Sequence, residues 1–304
     1  MLGALGVMII ILAVLALVVV KALAHSPWGV FSIAATIPIA LFMGIYMRFI
    51  RPGKIAEVSI IGFVLMMLGI VYGENIAQHP YCGAFFTLSG TQLTWELIIY
   101  GFVASALPVW LLLAPRDYLS TFLKIGVIAG LAVGIIFAMP EMKLPAFTQF
   151  IDGTGPVFAG SMFPFLFITI ACGAISGFHG LVATGTTSKQ IDKEEDVRFV
   201  GYFGAMGEGM LALGAILAAT AGFATLGDWQ AVYQKFGDGS IGAFIDGGAT
   251  ILNAGVGIDM VLSQTMLTVM AALFAGTTMD TGVRLQRYIF QEFGEIYKLP
   301  VLNK

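Results

Sequence analysis

Residues 163–185 read FPFLFITIACGAISGFHGLVATG. At 1.5 Å per residue this stretch makes a helix of about 35 Å, enough to cross ~30 Å of hydrocarbon. It holds no Asp, Glu, Lys or Arg, and its hydrophobicity does not alternate as that of a barrel strand would. A membrane-spanning helix follows, because only helices and closed barrels satisfy their backbone polar groups inside lipid. Its middle is unusual: Gly173, Ser176, Gly177, His179 and Gly180 stand where a lipid-facing helix would carry leucines. Two physical readings apply. A helix broken at midplane depth frees backbone N–H and C=O groups for a polar solute or ion, which makes Gly173, Ser176, Gly177 and His179 candidate substrate-binding residues. Small residues equally allow two helices to pack closely.

The rest of the chain repeats the apolar pattern. Of its 304 residues, 58% are hydrophobic and 11% charged, with a mean hydropathy of +0.92, whereas a soluble domain has about a quarter of its residues charged. Apolar windows predict spans at 3–23, 28–49, 57–74, 94–114, 119–139, 163–185, 200–224 and 259–281. The expected fold is therefore all-α, a polytopic transmembrane bundle of about eight spans forming one domain over 1–304. Turn chemistry separates the spans at Arg51-Pro52-Gly53, at Ala114-Pro115-Arg116-Asp117, from Pro140 to Pro156 and at Gly237-Asp238-Gly239. The first run lacks a charged n-region and an A-x-A-like cleavage site, so it is read as a retained helix. Two segments fit less simply. Gly242 to Asp259 is Gly-rich and carries Asp246, Asn253 and Asp259, which predicts a re-entrant or protein-buried segment. Val283 to Lys298 is amphipathic, either an interfacial helix or the start of another packed one.

Alternating the loops between the two sides places twelve Lys and Arg on one and leaves Lys21, Lys143 and Lys235 on the other. The positive-inside rule then puts both termini in the cytoplasm. A net charge of −3 with no basic stripe gives no footprint for nucleic acid. Cys82 and Cys172 fall in a predicted outer loop and inside a span, so neither a disulfide nor a metal site is expected.

Three positions carry ionisable chemistry, and of the carboxylates only Glu208 falls well inside a predicted span. His179 titrates near physiological pH when unperturbed, which suits proton exchange; as a lone histidine it also suits a neutral hydrogen bond to a neighbouring helix. Glu208, in GYFGAMGEGM, is a candidate proton carrier or a helix-packing carboxyl near the interface. Asp280 lies in GTTMDTGVR, where Thr277, Thr278 and Asp280 supply oxygens suited to Na⁺ or a proton. A helix end with Arg284 as the i+4 partner explains Asp280 as well. Glu74, Asn75 and His79 are read as interfacial. Thr184 to Lys189 lacks phosphate-loop spacing, and neither H-E-x-x-H nor G-x-S-x-G occurs, so no enzyme and no organic cofactor are indicated. The only cofactor-like requirement is a coupling ion, H⁺ or Na⁺.

Four stretches carry a family resemblance: SPWGVFSIAATIPIALFMGIYMRFIRPG from Ser26, LPVWLLLAPRDYLSTFLKIG from Leu107, FPFLFITIACGAISGFH from Phe163, and TTMDTGVRLQRYI from Thr277. Together they resemble the carbon starvation protein A family, whose members are described as peptide or pyruvate transporters. The resemblance implies an inner-membrane secondary transporter, induced when nutrients run low, that takes up peptides or pyruvate with protons. It also implies a fold related to the inverted-repeat (LeuT/APC-like) transporters with broken helices. Family members are considerably longer, with helices before the position of Met1 and after Lys304, so the chain is expected to be a fragment. Transport would then need the missing helices or a partner polypeptide. A competing expectation follows, an accessory membrane subunit not competent for transport alone. Where the family tends to have Ser-Gly-Thr-Thr-Pro-Lys, this chain has Thr184-Gly-Thr-Thr-Ser188-Lys189, a lost proline that loosens the helix exit.

Overall fold

The computed structural model describes residues 2–147, 149–155, 160–175, 177–185, 187–234 and 238–299. Among them the chain is helical and contains no strand. The helices are α1 (Leu2–Leu23), α2 (Pro27–Ile45, continued by a π-helical turn Tyr46–Ile50), α3 (Ile55–Gln78), α4 (Pro80–Phe86), α5 (Gly90–Ala106) and α6 (Leu113–Ala138). They are followed by α7 (Met162–Ile175), α8 (Gly177–Gly185), α9 (Asp196–Ala221), α10 (Leu226–Val232), α11 (Asp238–Val256) and α12 (Met260–Ile296). Six segments among the described residues are long and apolar enough to cross a bilayer: α1, α2 with its π turn, α3, α6, α9 and α12. The chain is a multi-pass membrane protein.

The boundaries differ from expectation where backbone chemistry overrides hydropathy. The span predicted over 94–114 stops at Ala106, because Pro108 cannot donate a helical hydrogen bond and forces Leu107 into an extended conformation (φ −69°, ψ 150°). The expected turn at Ala114–Asp117 is instead the first turn of α6, where Pro115 is tolerated because early helix N–H groups have no partner in any case. A capping box, Ser89 with Gln92, starts α5. Val283 to Ile296 is the continuation of α12, not a separate surface helix. Of the break anticipated in span six around Ser176 to Gly180, Ser176 lies outside the described residues, and Gly177 to Gly180 belong to α8.

The fold divides into two compact units. Unit 1 comprises Met1–Ile125 and Thr268–Lys304. One apolar cluster joins Leu12, Val19 and Leu23 of α1 to Val30 of α2, Leu93 of α5, and Ala272, Ala275 and Met279 of α12. A smaller cluster joins Ala40, Ala104 and Leu112. The indole of Trp28 donates to the carbonyl of Ile70 at 2.6 Å, fixing α2 against α3.

Unit 2, Gly126–Leu267, turns the ambiguous segment 242–259 into a packed helix. Ala243, Ala249, Ile251 and Leu252 of α11 are buried, which accounts for its modest hydropathy: it meets protein instead of lipid. Its polar residues are satisfied locally. Gln264 donates to Asp246 (3.1 Å), Asn253 donates to the Ile258 carbonyl (2.8 Å), and Asp259 accepts from the N–H groups of Val261 and Leu262 as the cap of α12. The approach of α11 to α9 is close enough to require glycine. A Cβ on Gly247 would collide with the Ala218 carbonyl and lie 3.2 Å from the Phe223 ring.

Gly247→Leu is expected to lower stability by roughly 1–3 kcal/mol through overpacking. Gly204→Ala, at a position of α9 where a Cβ meets nothing within 4 Å, should instead raise it by about 0.5–1 kcal/mol through helix propensity. Thermal unfolding of both variants in detergent checks the contrast.

Candidate functional site

Asp280 sits mid-way along α12, inside unit 1, and is 2% exposed. Its Oδ2 accepts from Arg116 Nη1 at 2.8 Å and from the Tyr100 hydroxyl at 2.8 Å. Arg116, 3% exposed, also donates to the Tyr100 oxygen, and from Nε to Thr36 Oγ1 at 3.4 Å. Its guanidinium lies 4.8 Å from the centroid of the Tyr100 ring. Four helices therefore meet at one polar knot: α2 through Thr36, α5 through Tyr100, α6 through Arg116 and α12 through Asp280.

This arrangement runs against local helix preference. Arg116 occupies the first turn of α6, where the helix dipole disfavours a cation. Two buried ions are costly to desolvate and repay it only with good geometry and filled hydrogen-bonding positions. The filling is incomplete, since Asp280 Oδ1 is buried without a hydrogen-bond partner. Such a charge pair inside a membrane bundle is better explained by function than by stability.

The knot forms part of the wall of a cavity of about 310 Å³ inside unit 1. Aliphatic groups such as Leu23, Ile33, Ile37 and Leu97 make up most of the lining, with Glu96, Tyr100, Arg116 and Asp280 as its ionisable groups. A small number of placed polar groups in an apolar chamber is the usual form of a small-molecule site.

The i+4 pairing of Asp280 with Arg284 does not occur. Arg284 Nη2 donates to the carbonyls of Ala104 (3.0 Å) and Leu107 (2.6 Å), and Arg287 Nη1 to that of Ser105 (2.8 Å). α5 ends there, and its last carbonyls lack helical partners. They attract cations, so both arginines cap α5 instead of neutralising their own helix. The threonines beside Asp280 turn inward to the backbone: Thr277 and Thr278 both donate to the Phe274 carbonyl, at 3.3 and 2.8 Å.

The remaining sequence candidates lie in unit 2. Gly173 is in α7, Gly177 and His179 are in α8, and Ser176 is outside the described residues. The His179 side chain is exposed, with the Phe178 ring 6.3 Å from its own. Among the described residues, a Cβ on Gly177 or Gly180 would meet nothing within 4 Å. Glu208 is exposed on α9. Sequence reasoning missed Arg116, Tyr100 and Glu96. Arg116 was placed in a turn, and Glu96 and Tyr100 stand four residues apart in WELIIY, a one-faced polar pair inside an apolar run that could have drawn attention.

The family model described as carbon starvation protein CstA matches residues 1–235. The pyruvate/proton symporter BtsT of Escherichia coli (strain K12) is 61% identical over 218 residues, covering 72% of this chain and 30% of that protein. The peptide transporter CstA of Campylobacter jejuni is 61% identical over 215 residues, covering 70% and 31%. The peptide transporter CstA of Helicobacter pylori (strain 26695) is 46% identical, covering 93% of this chain and 47% of its own length. The chain thus matches 30% to 47% of the length of these curated relatives. No solved structure matches it.

Removing one member of the ion pair should be far worse than removing both. Asp280→Ala is expected to cost about 3–5 kcal/mol by leaving Arg116 buried and uncompensated, while Arg116→Met combined with Asp280→Leu should recover most of that loss. Unfolding midpoints of the single and double variants in detergent measure the coupling, and additive losses would show that the pair is not coupled.

Proposed function

Since the chain belongs to the carbon starvation protein CstA family, we propose that it performs secondary active uptake of peptides or pyruvate-like small nutrients, driven by protons. The observation that carries this reading is the buried Arg116–Asp280–Tyr100 knot on the wall of an apolar cavity. A guanidinium offers paired donors to a carboxylate, the group that pyruvate and a peptide C-terminus share. A buried carboxylate is the kind of group that carries protons through membrane proteins. Both chemistries meet at one point in the bundle, which is what coupling a solute to an ion demands. That the Escherichia coli relative is named as a pyruvate/proton symporter supports protons over Na⁺.

The protein is placed by this reading in the inner membrane of the cell. The excess of Lys and Arg on one set of loops supports cytoplasmic termini. His179 and Glu208 in unit 2 are the further candidates for handling the proton on its way to or from the aqueous phases.

Uptake into proteoliposomes tests the reading. Labelled pyruvate or dialanine is expected to accumulate only when the lumen is more alkaline than the bath, and a protonophore should abolish the accumulation. Accumulation of neither solute, by this chain or by a full-length relative, or accumulation indifferent to the pH gradient, rejects it.

A further inference from the structure

An empty carrier whose site already holds a salt bridge must break that bridge to admit an anion, and the geometry here says which half moves. Arg116 is held by its Nε to Thr36 and by Nη1 to Tyr100 and Asp280. Among the described residues no hydrogen bond engages its Nη2, which faces Gly276 on the cavity wall; a Cβ there would lie 3.7 Å from it. Asp280 accepts only through Oδ2, and its buried Oδ1 has no partner. The guanidinium thus has an open donor toward the cavity, and the carboxylate has an open oxygen able to carry a proton.

We propose that Arg116 is the receptor for the carboxylate of the transported solute, and that Asp280, displaced from Arg116 by it, takes the co-transported proton on Oδ1. The inference rests on the transporter reading above and gives it a stoichiometry. In the empty state Arg116 is a cation and Asp280 an anion, so the pair carries no net charge. Adding a monocarboxylate without a proton would leave one uncompensated negative charge against a largely apolar wall, which is strongly unfavourable. Adding the carboxylate together with one proton restores neutrality: the cation pairs with the solute, and Asp280 becomes an acid. Both the empty and the loaded forms are then neutral and free to change conformation, whereas a form carrying solute without proton, or proton without solute, holds a buried unpaired charge. Coupling follows from that charge balance.

The surrounding groups are compatible with the exchange. From α5 the site is faced by Tyr100, whose hydroxyl keeps a hydrogen bond available to Asp280, and by Glu96, which lines the same cavity. From α6 come Arg116 and Asp117, the latter paired with Lys124 at 3.5 Å. α2 presents only the neutral Thr36, and the α1 residues of the cavity wall, Val19 and Leu23, are aliphatic. On α12 itself Arg284 is bound to the end of α5. Among the described residues, no other Lys or Arg lines this cavity.

The test is calorimetric binding to the full chain in nanodiscs, titrating pyruvate, dialanine and their amides in buffers of different ionisation enthalpy. Wild-type protein should bind pyruvate with uptake of close to one proton, and should bind the amides at least tenfold more weakly. Pyruvate and dialanine compared side by side show which source of carboxylate the cavity prefers. Asp280→Asn should still bind, as tightly or more so, with the linked proton uptake gone. Arg116→Gln should weaken binding by roughly 10- to 100-fold, the worth of one charge-assisted hydrogen bond. Because Asp280→Asn is read by retained binding with altered proton count, misfolding cannot mimic it. If Asp280→Asn still takes up a proton, or if Arg116→Gln or amidation changes nothing, the exchange is wrong while the transporter reading stands. If wild-type protein binds neither solute, the transporter reading falls and the exchange with it.

Discussion

The ion pair between Arg116 and Asp280 is the constraint around which unit 1 is organised. It joins residues 164 apart in sequence at 2.8 Å and recruits Tyr100 and Thr36 from two further helices. Apolar packing between helices is nearly indifferent to rotation, since lipid tails are as apolar as leucine. A buried charge is not indifferent. Once Asp280 must face Arg116, the rotation of α12 and the seating of the first turn of α6 are set together. Arg284 and Arg287, one and two turns further along α12, then come opposite the terminal carbonyls of α5, and all three contacts enforce one register.

Unit 2 uses a different device. There the close approach of α9 and α11 is secured by absence of side chains, with Gly247 against Ala218 and Gly222 against Gly247. Dispersion and backbone proximity replace charge, and the polar groups of α11 are dealt with by short-range hydrogen bonds to nearby residues. Unit 1 adds a paired charge to packing of this kind, in which a Cβ on Gly44 would collide with the carbonyls of Trp110 and Leu111.

Function and stability pull apart at the polar knot. An apolar replacement of similar volume would stabilise such a site as well as the ion pair does or better. The orphaned Oδ1 of Asp280 and the position of Arg116 at the positive end of its helix dipole add further strain to the account. A site tuned for stability would carry none of these features. A site that must exchange one anion for another, and accept a proton as it does so, needs a salt bridge that is good enough to close the empty state and not so complete that it cannot open.

Much of the molecule was legible in its amino-acid sequence, because crossing a bilayer imposes a one-dimensional rule. Length and hydropathy located the membrane helices, and the long apolar runs of α1, α3, α6 and α9 follow that rule closely. The polar residues of segment 242–259 pointed to a re-entrant or protein-buried element, and Asp280 stood out as a carboxylate in a polar cluster at the end of a predicted span. What hydropathy could not supply was the partner. Arg284, four residues away, was the local choice for Asp280, and Arg116 in its Pro-containing stretch looked like a loop cation. Helix termini were likewise set by Pro108 and Pro115, whose effect on the backbone a hydropathy window averages away. The sequence by itself determined that the chain is a helical membrane protein and which residues are costly to bury. Only the tertiary structure decided which of those costs cancel, because charge pairing depends on distance across the bundle, and distance between helices is written nowhere along the chain.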